Sequence, residues 1–95
     1  MKLLSKSGEI LTDLDLGIVD AGDTKEYSYI FYNDTEAELV NIEVKILDKE
    51  VTILSSPKNL NPYEKAEFKI KWSPSLEIKK GLKTSIEINA QEIYS

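Results

Sequence analysis

The sequence predicts an all-β domain, an antiparallel sandwich or small barrel. Apolar residues recur at every second position through most of its segments, the pattern of a strand with one buried and one wet face. Clusters of Asp, Asn, Ser, Gly and Pro separate those segments at short intervals. No stretch of useful length carries the periodicity of an amphipathic helix.

Taken in order, residues 1–13 read as an N-terminal arm before a domain over 14–95, and Met1 to Ile10 as the part that orders on contact with a partner. Leu14–Val19 is the first expected strand, ended by the turn residues Asp20-Ala21-Gly22-Asp23. Lys25–Asn33 is the second, with Tyr27, Tyr29 and Phe31 on one side and Ile30 and Tyr32 on the other. Two apolar faces mark a central or covered strand. Glu38–Leu47 places Val40, Ile42, Val44 and Ile46 on one face, against Asn41, Glu43 and Lys45. Val51–Leu54 is a short strand, too brief to reveal its inward face. Ala66–Trp72 turns Ala66, Phe68, Ile70 and Trp72 inward, making Phe68 and Trp72 central core residues. Ser75–Lys80 has room for one helical turn. Leu82–Ala90 is the last strand, with Leu82, Thr84, Ile86, Ile88 and Ala90 on one face. Turn chemistry at Asn33-Asp34-Thr35, Leu47-Asp48-Lys49-Glu50, Ser56-Pro57-Lys58-Asn59 and Ser73-Pro74-Ser75 fills the gaps. The Asn33-Asp34-Thr35 sequon is read as a turn.

Composition narrows the function. The chain has 95 residues, 41% hydrophobic and 31% charged, which is one globular domain's worth. It has neither Cys nor His, so disulfides, thiol nucleophiles, Ser-His pairs and the usual zinc ligand sets are excluded. The twelve basic residues are all Lys. Without Arg, and with a net charge of −5, the chain lacks the equipment for specific nucleic-acid recognition. The acids concentrate in residues 1–50, which carry twelve acids and five bases, while residues 51–95 carry five acids and seven bases. The start of the chain lacks the apolar core of a signal peptide, and no stretch approaches the length of a membrane span. The expected location is therefore a virion or the cytoplasm, without export by a signal peptide and without a membrane partner.

No catalytic constellation emerges. No carboxylate pair has a context for general acid–base work, and no Gly-rich loop could cradle a phosphate. Ser55-Ser56 and Ser73-Pro74-Ser75 have no activating base other than Lys. The cluster Asp13, Asp15, Asp20 and Asp23 offers oxygen ligands of the kind calcium takes, but without the spacing of an EF-hand loop, and solvated turn carboxylates are the expectation. The chain is thus read as a non-enzyme with no cofactor and no metal. Its five Tyr are the candidates for contact, because Tyr is rigid and amphipathic. The candidate interface residues are Tyr27, Tyr29, Tyr63, Tyr94 and Ile93.

Three segments together resemble Hydin-like Ig-like domains, the group related to major sperm protein and PapD-type sandwiches. Leu14-Asp15-Leu16-Gly17-Ile18-Val19-Asp20-Ala21-Gly22 resembles their opening, L-D-F-G-x-V-x-x-G. Ile30 through Asn33, with Val40-Asn41-Ile42, is similar to their following strand pair. The run from Leu60-Asn61-Pro62-Tyr63-Glu64 to Ile70-Lys71-Trp72-Ser73-Pro74 resembles L-x-P-G-E-x-A-x-F-x-I-x-F-x-P, with Tyr63 in place of Gly and Trp72 in place of Phe. Gly81 leads the next strand, as in the family. The resemblance spans about residues 14–90. It implies an Ig-like antiparallel sandwich of about seven strands, in which Gly17 and Gly22 supply positive φ or close approach. Pro62 sets φ before a strand, and Pro74 stops one. Such domains usually continue beyond the strand that ends here near Ala90. Either that final strand is lacking, or residues 2–11 take a compensating place.

The resemblance implies a scaffold or adaptor task, with a protein as partner: a larger assembly or further copies of the chain in a homo-oligomer. The expected function is a virion accessory subunit, a phage capsid-decoration or tail-associated protein that docks through a strand edge and loops. The alternative is a cytosolic adaptor that binds a single protein or peptide.

Overall fold

A computed structural model describes residues 1–20, 22–74 and 79–94, and all regular structure in them is β. The strands are β1 (Lys2–Leu4), β2 (Ile10–Leu11), β3 (Leu14–Asp20), β4 (Lys25–Tyr32), β5 (Glu38–Ile46), β6 (Val51–Ser55), β7 (Lys65–Trp72), β8 (Lys79–Thr84) and β9 (Ile86–Ile93). Every strand pairing among the described residues is antiparallel. One layer of the sandwich is a five-stranded sheet in the order β2-β1-β4-β7-β6. The other is built from two ribbons, β3 with β8 and β5 with β9. Only Ser85 separates β8 from β9. At about 3.3 Å per residue, residues 79–93 span about 50 Å, which matches the molecule's 52 Å long axis.

The core follows from the alternation. On β7, Phe68, Ile70 and Trp72 are fully buried while Glu67 and Lys69 face water. On β4, Phe31 is buried and stacks on Phe68 with ring centroids 4.6 Å apart. Strand β4 lies between β1 and β7, and on its outer face Ile30 stands beside Leu4 while Lys65 lies over the Tyr32 ring at 5.2 Å. Leu14, Leu16, Leu39 and Leu60 close the core from the other layer and its flanking loop.

Among the described residues the register shifts at three places, on β6 between Ile53 and Ser55 and at two bulges with left-handed residues. On β3 the register slips between Asp15 and Gly17, where Gly17 takes φ 68° and Asp15 Oδ1 accepts from its N–H. The buried positions therefore run Leu14, Leu16, Val19. On β5 the slip lies between Val40 and Glu43, with Asn41 at φ 52°. Leu39, not Val40, therefore joins Ile42 in the core, and Val40 is half-buried. A left-handed residue in a strand re-aims every side chain beyond it, and Asn tolerates that conformation.

The N-terminal segment departs from the expected arm. Residues 2–4 pair with β4, and residues 10–11 pair back on β1. Leu3 and Leu4 are buried, and Met1 packs against the core with its ammonium 3.3 Å from Asp34. The hairpin adds two strands to the six segments expected from the alternation, so residues 1–13 belong to the sandwich. The split of the last expected strand at Ser85 adds another; that strand begins three residues earlier and ends three later than its alternation indicates. The helical turn expected over Ser75–Lys80 falls mainly on residues outside those described, and Lys79 and Lys80 open β8.

Candidate functional site

The feature that stands out is an edge. Strand β9 pairs with β5 alone, from Ile86↔Ile46 to Ile93↔Glu38. The opposite side of β5 is partly covered: Leu39 and Leu60 exchange backbone hydrogen bonds of 2.8 Å, and the Ile42 N–H donates to Lys58 O at 2.9 Å. Strand β9 has no such cover among the described residues. Its backbone therefore offers unpaired donors and acceptors along one side.

Beside β9, between the two layers, lies an open groove of about 210 Å³ lined by Met1, Leu39, Ile88, Ala90 and Glu92. Ile88 packs against the core, while the small Ala90 leaves the floor exposed. The Glu92 carboxylate accepts from the Tyr94 hydroxyl at 2.6 Å. That hydrogen bond and the negative charge of Glu92 hold the Tyr94 hydroxyl above its ordinary pKa. On the outer face of the same strand pair stand Glu38, Glu43 and Glu87. Lys45, opposite Glu87, is the one base on β5 and β9.

Two loops flank the start of β5, and one buried side chain fixes both. Asn33, fully buried, donates from Nδ2 to Ala37 O at 2.7 Å and to Asn61 O at 2.9 Å. Its Oδ1 accepts from Thr35 N at 3.1 Å and from Thr35 Oγ1 at 2.7 Å. Loops 33–37 and 60–64 are thus locked together at the end of the sandwich where Ile93 and Tyr94 lie. Asn33 also belongs to the sequon, but its amide is consumed by these bonds inside the protein and cannot serve as a glycan acceptor in the folded chain.

The expected interface residues divide. Tyr63, Tyr94 and Ile93 are exposed, at 56%, 68% and 50% of their surfaces. Tyr27 and Tyr29 lie on the core side of β4. The Tyr27 hydroxyl donates to Leu16 O at 2.6 Å, tying the two layers together, and the Tyr29 ring lies 6.3 Å from that of Phe68. Burial, with the nearby Tyr27 and Asp15, pushes the Tyr29 hydroxyl up to about 12; burial and Asp15 also raise Tyr27. The neutral phenols therefore favour the folded state. Their stabilisation is complete below the ordinary tyrosine pKa of about 10 and is lost as pH rises through the folded value near 12. Phenolate absorbance near 295 nm should rise late, together with loss of β-sheet circular dichroism. Early, fully reversible ionisation of all five Tyr in a folded chain would contradict this placement.

Tyr63 occupies a strained backbone. It takes φ 59° in the turn closed by Glu64 N to Asn61 O at 3.1 Å, where the resembled pattern has Gly. Replacing Tyr63 with Gly should stabilise the domain by about 0.5–1 kcal/mol, because a side chain in the left-handed region carries a penalty that Gly lacks. A fall in the urea midpoint would show instead that the Tyr63 ring contributes more than its backbone costs.

The remaining positions are structural. Gly22 takes φ 86° and donates its N–H to Pro74 O at 2.9 Å, Pro74 and Trp72 are buried, and Pro62 is exposed at the start of the Tyr63 turn. The acidic cluster does not converge: among the described residues, no group of three or more carboxylates could hold a metal ion. No helix in the described residues is long and apolar enough to cross a membrane.

Sequence reasoning missed Asn33 but raised the open edge, since a sandwich lacking its final strand leaves an edge or an apolar groove uncovered. Asn33 was within reach, because Tyr27, Tyr29, Phe31 and Asn33 share one parity and an inward amide must be hydrogen-bonded. Which strand carries the groove had no signal, since it depends on which strands pair. Comparison with known proteins returns no matching family model, no matching curated protein and no matching solved structure.

Proposed function

We propose that this protein is a non-enzymatic assembly module, a virion accessory subunit that docks on a capsid or tail through the β9 edge and the loops beside it. One observation carries the docking: the unpaired strand edge ends at two exposed apolar side chains, Ile93 and Tyr94. Single exposed apolar residues are ordinary, but such a pair beside an unpaired edge gains from being covered. The resemblance to Hydin-like domains supports the same task, since those are scaffold or adaptor modules. The lock between loops 33–37 and 60–64 supports it too, because docking on a rigid surface costs less ordering entropy.

The test is sedimentation of the chain in a lysate of its natural source. Co-migration with a megadalton particle at high copy number is the expected result. Migration as a small species with one sub-stoichiometric companion would make the chain a cytosolic adaptor and overturn the virion assignment.

A further inference from the structure

Building on that docking role, we infer that β9 is the acceptor for one extended, basic strand of another protein, which pairs along Ile86–Ile93 and turns alternate apolar side chains into the groove beside it. The backbone requirement comes from pairing. Strand β9 is eight residues long and bonded on one side only, so a second strand completes its ladder. The apolar requirement comes from the groove. Its volume of about 210 Å³ over Ile88 and Ala90 accommodates side chains of valine or leucine size. The basic requirement comes from charge. An added strand would lie against Glu92 on its inner face and Glu87 on its outer face, with Lys45 as the one base on β5 and β9. Opposite charges on neighbouring strands attract, and like charges repel.

The same charges argue against a second copy of this chain. Pairing β9 with another β9 in either direction sets acidic strand against acidic strand. Two other edge strands carry an exposed apolar residue, β6 (Val51-Thr52-Ile53-Leu54-Ser55) and β2 (Ile10-Leu11), and neither carries a base.

The probe is a fluorescent peptide of about eight residues alternating lysine and valine, titrated into the intact chain and followed by anisotropy and amide hydrogen exchange. Saturable binding is expected, with new protection confined to β9. N-methylation of alternate peptide amides should abolish binding, because it removes the donors that face the edge. A glutamate–valine peptide should not bind. The double variant Glu87→Lys and Glu92→Lys should bind the lysine peptide roughly tenfold more weakly. Binding that survives N-methylation, or protection that appears on β3 or β6, would overturn the inference. So would concentration-dependent protection of β9 without peptide, which would identify a second copy as the occupant. The two proposals separate in the source lysate. A chain that stays on its particle in excess peptide, although the peptide protects β9 of the free chain, refutes the edge as the docking element while docking stands. A chain that binds the peptide but sediments alone refutes docking while the edge stands.

Discussion

Replacing Asn33 with Ala is expected to cost about 2–5 kcal/mol of folding stability, although this side chain is polar and stands in the loop that follows β4. The amide donates to the buried Ala37 O and the part-buried Asn61 O, which belong to different loops. Removing it takes the short hydrogen bond from Ala37 O and one of two donors from Asn61 O, which keeps the Glu64 N–H. It also leaves the Thr35 N–H and hydroxyl without their Oδ1 acceptor, at about 1–3 kcal/mol for each buried group left unsatisfied. Replacement by Asp retains the shape and sharpens the test. An ionised carboxylate cannot donate to either carbonyl, and it places an unpaired charge in a fully buried position. The loss at neutral pH should be at least as large as for Ala. The pH dependence then has a definite sign. Burial raises the pKa of the introduced carboxyl in the folded state above its unfolded value, so acidification favours the native form. Part of the loss should be recovered as pH falls through the folded pKa, because a protonated carboxyl donates to one of the carbonyls. Urea denaturation of the three proteins at two pH values reads both effects. A deficit below about 1 kcal/mol for Asn33→Ala would show that the loops hold each other without the amide.

Much of this architecture is legible in the residues, and the exceptions share a physical cause. Strand β7 declares itself, because eight residues of strict alternation have only one good solution, and β4 does so by its run of aromatic and β-branched residues between turn signals. Strand β1 does not: Lys2-Leu3-Leu4 is too short for any period, and Leu3 and Leu4, although adjacent, are both buried. The two bulges are equally silent. Nothing in the alternation around Asn41 announces that Leu39 replaces Val40 in the core, since a left-handed residue shifts parity without altering composition. The candidate site divides in the same way. Tyr63 is legible as an aromatic ring in a turn where Gly is the natural occupant. Tyr27 and Tyr29 are indistinguishable from contact residues until their partners Leu16 and Phe68 are placed. The β9 edge is a property of pairing, and pairing is set by every other strand at once.

Trp72 provides the second large effect, and two substitutions separate its parts. Its side chain is fully buried on β7, in register with Lys25 on one side and Val51 on the other. Truncation to Ala should cost about 3–5 kcal/mol, the range for deleting a large aromatic residue from a packed core. Substitution by Phe should cost much less, and for a reason beyond size. The indole Nε1–H is buried and has no hydrogen-bond partner among the described residues, which for the native Trp amounts to a desolvation penalty of about 1–3 kcal/mol. Phe removes that penalty and leaves a smaller cavity than Ala. The two terms oppose, and Trp72→Phe should fall within about 1–2 kcal/mol of the native chain. Because Trp72 is the one Trp in the sequence, stability must be followed by circular dichroism rather than fluorescence. If Phe proves as damaging as Ala, the indole is making a bond that its surroundings do not reveal. If Ala is tolerated, the centre of the core lies elsewhere, and the stack of Phe31 on Phe68 must carry the sandwich instead.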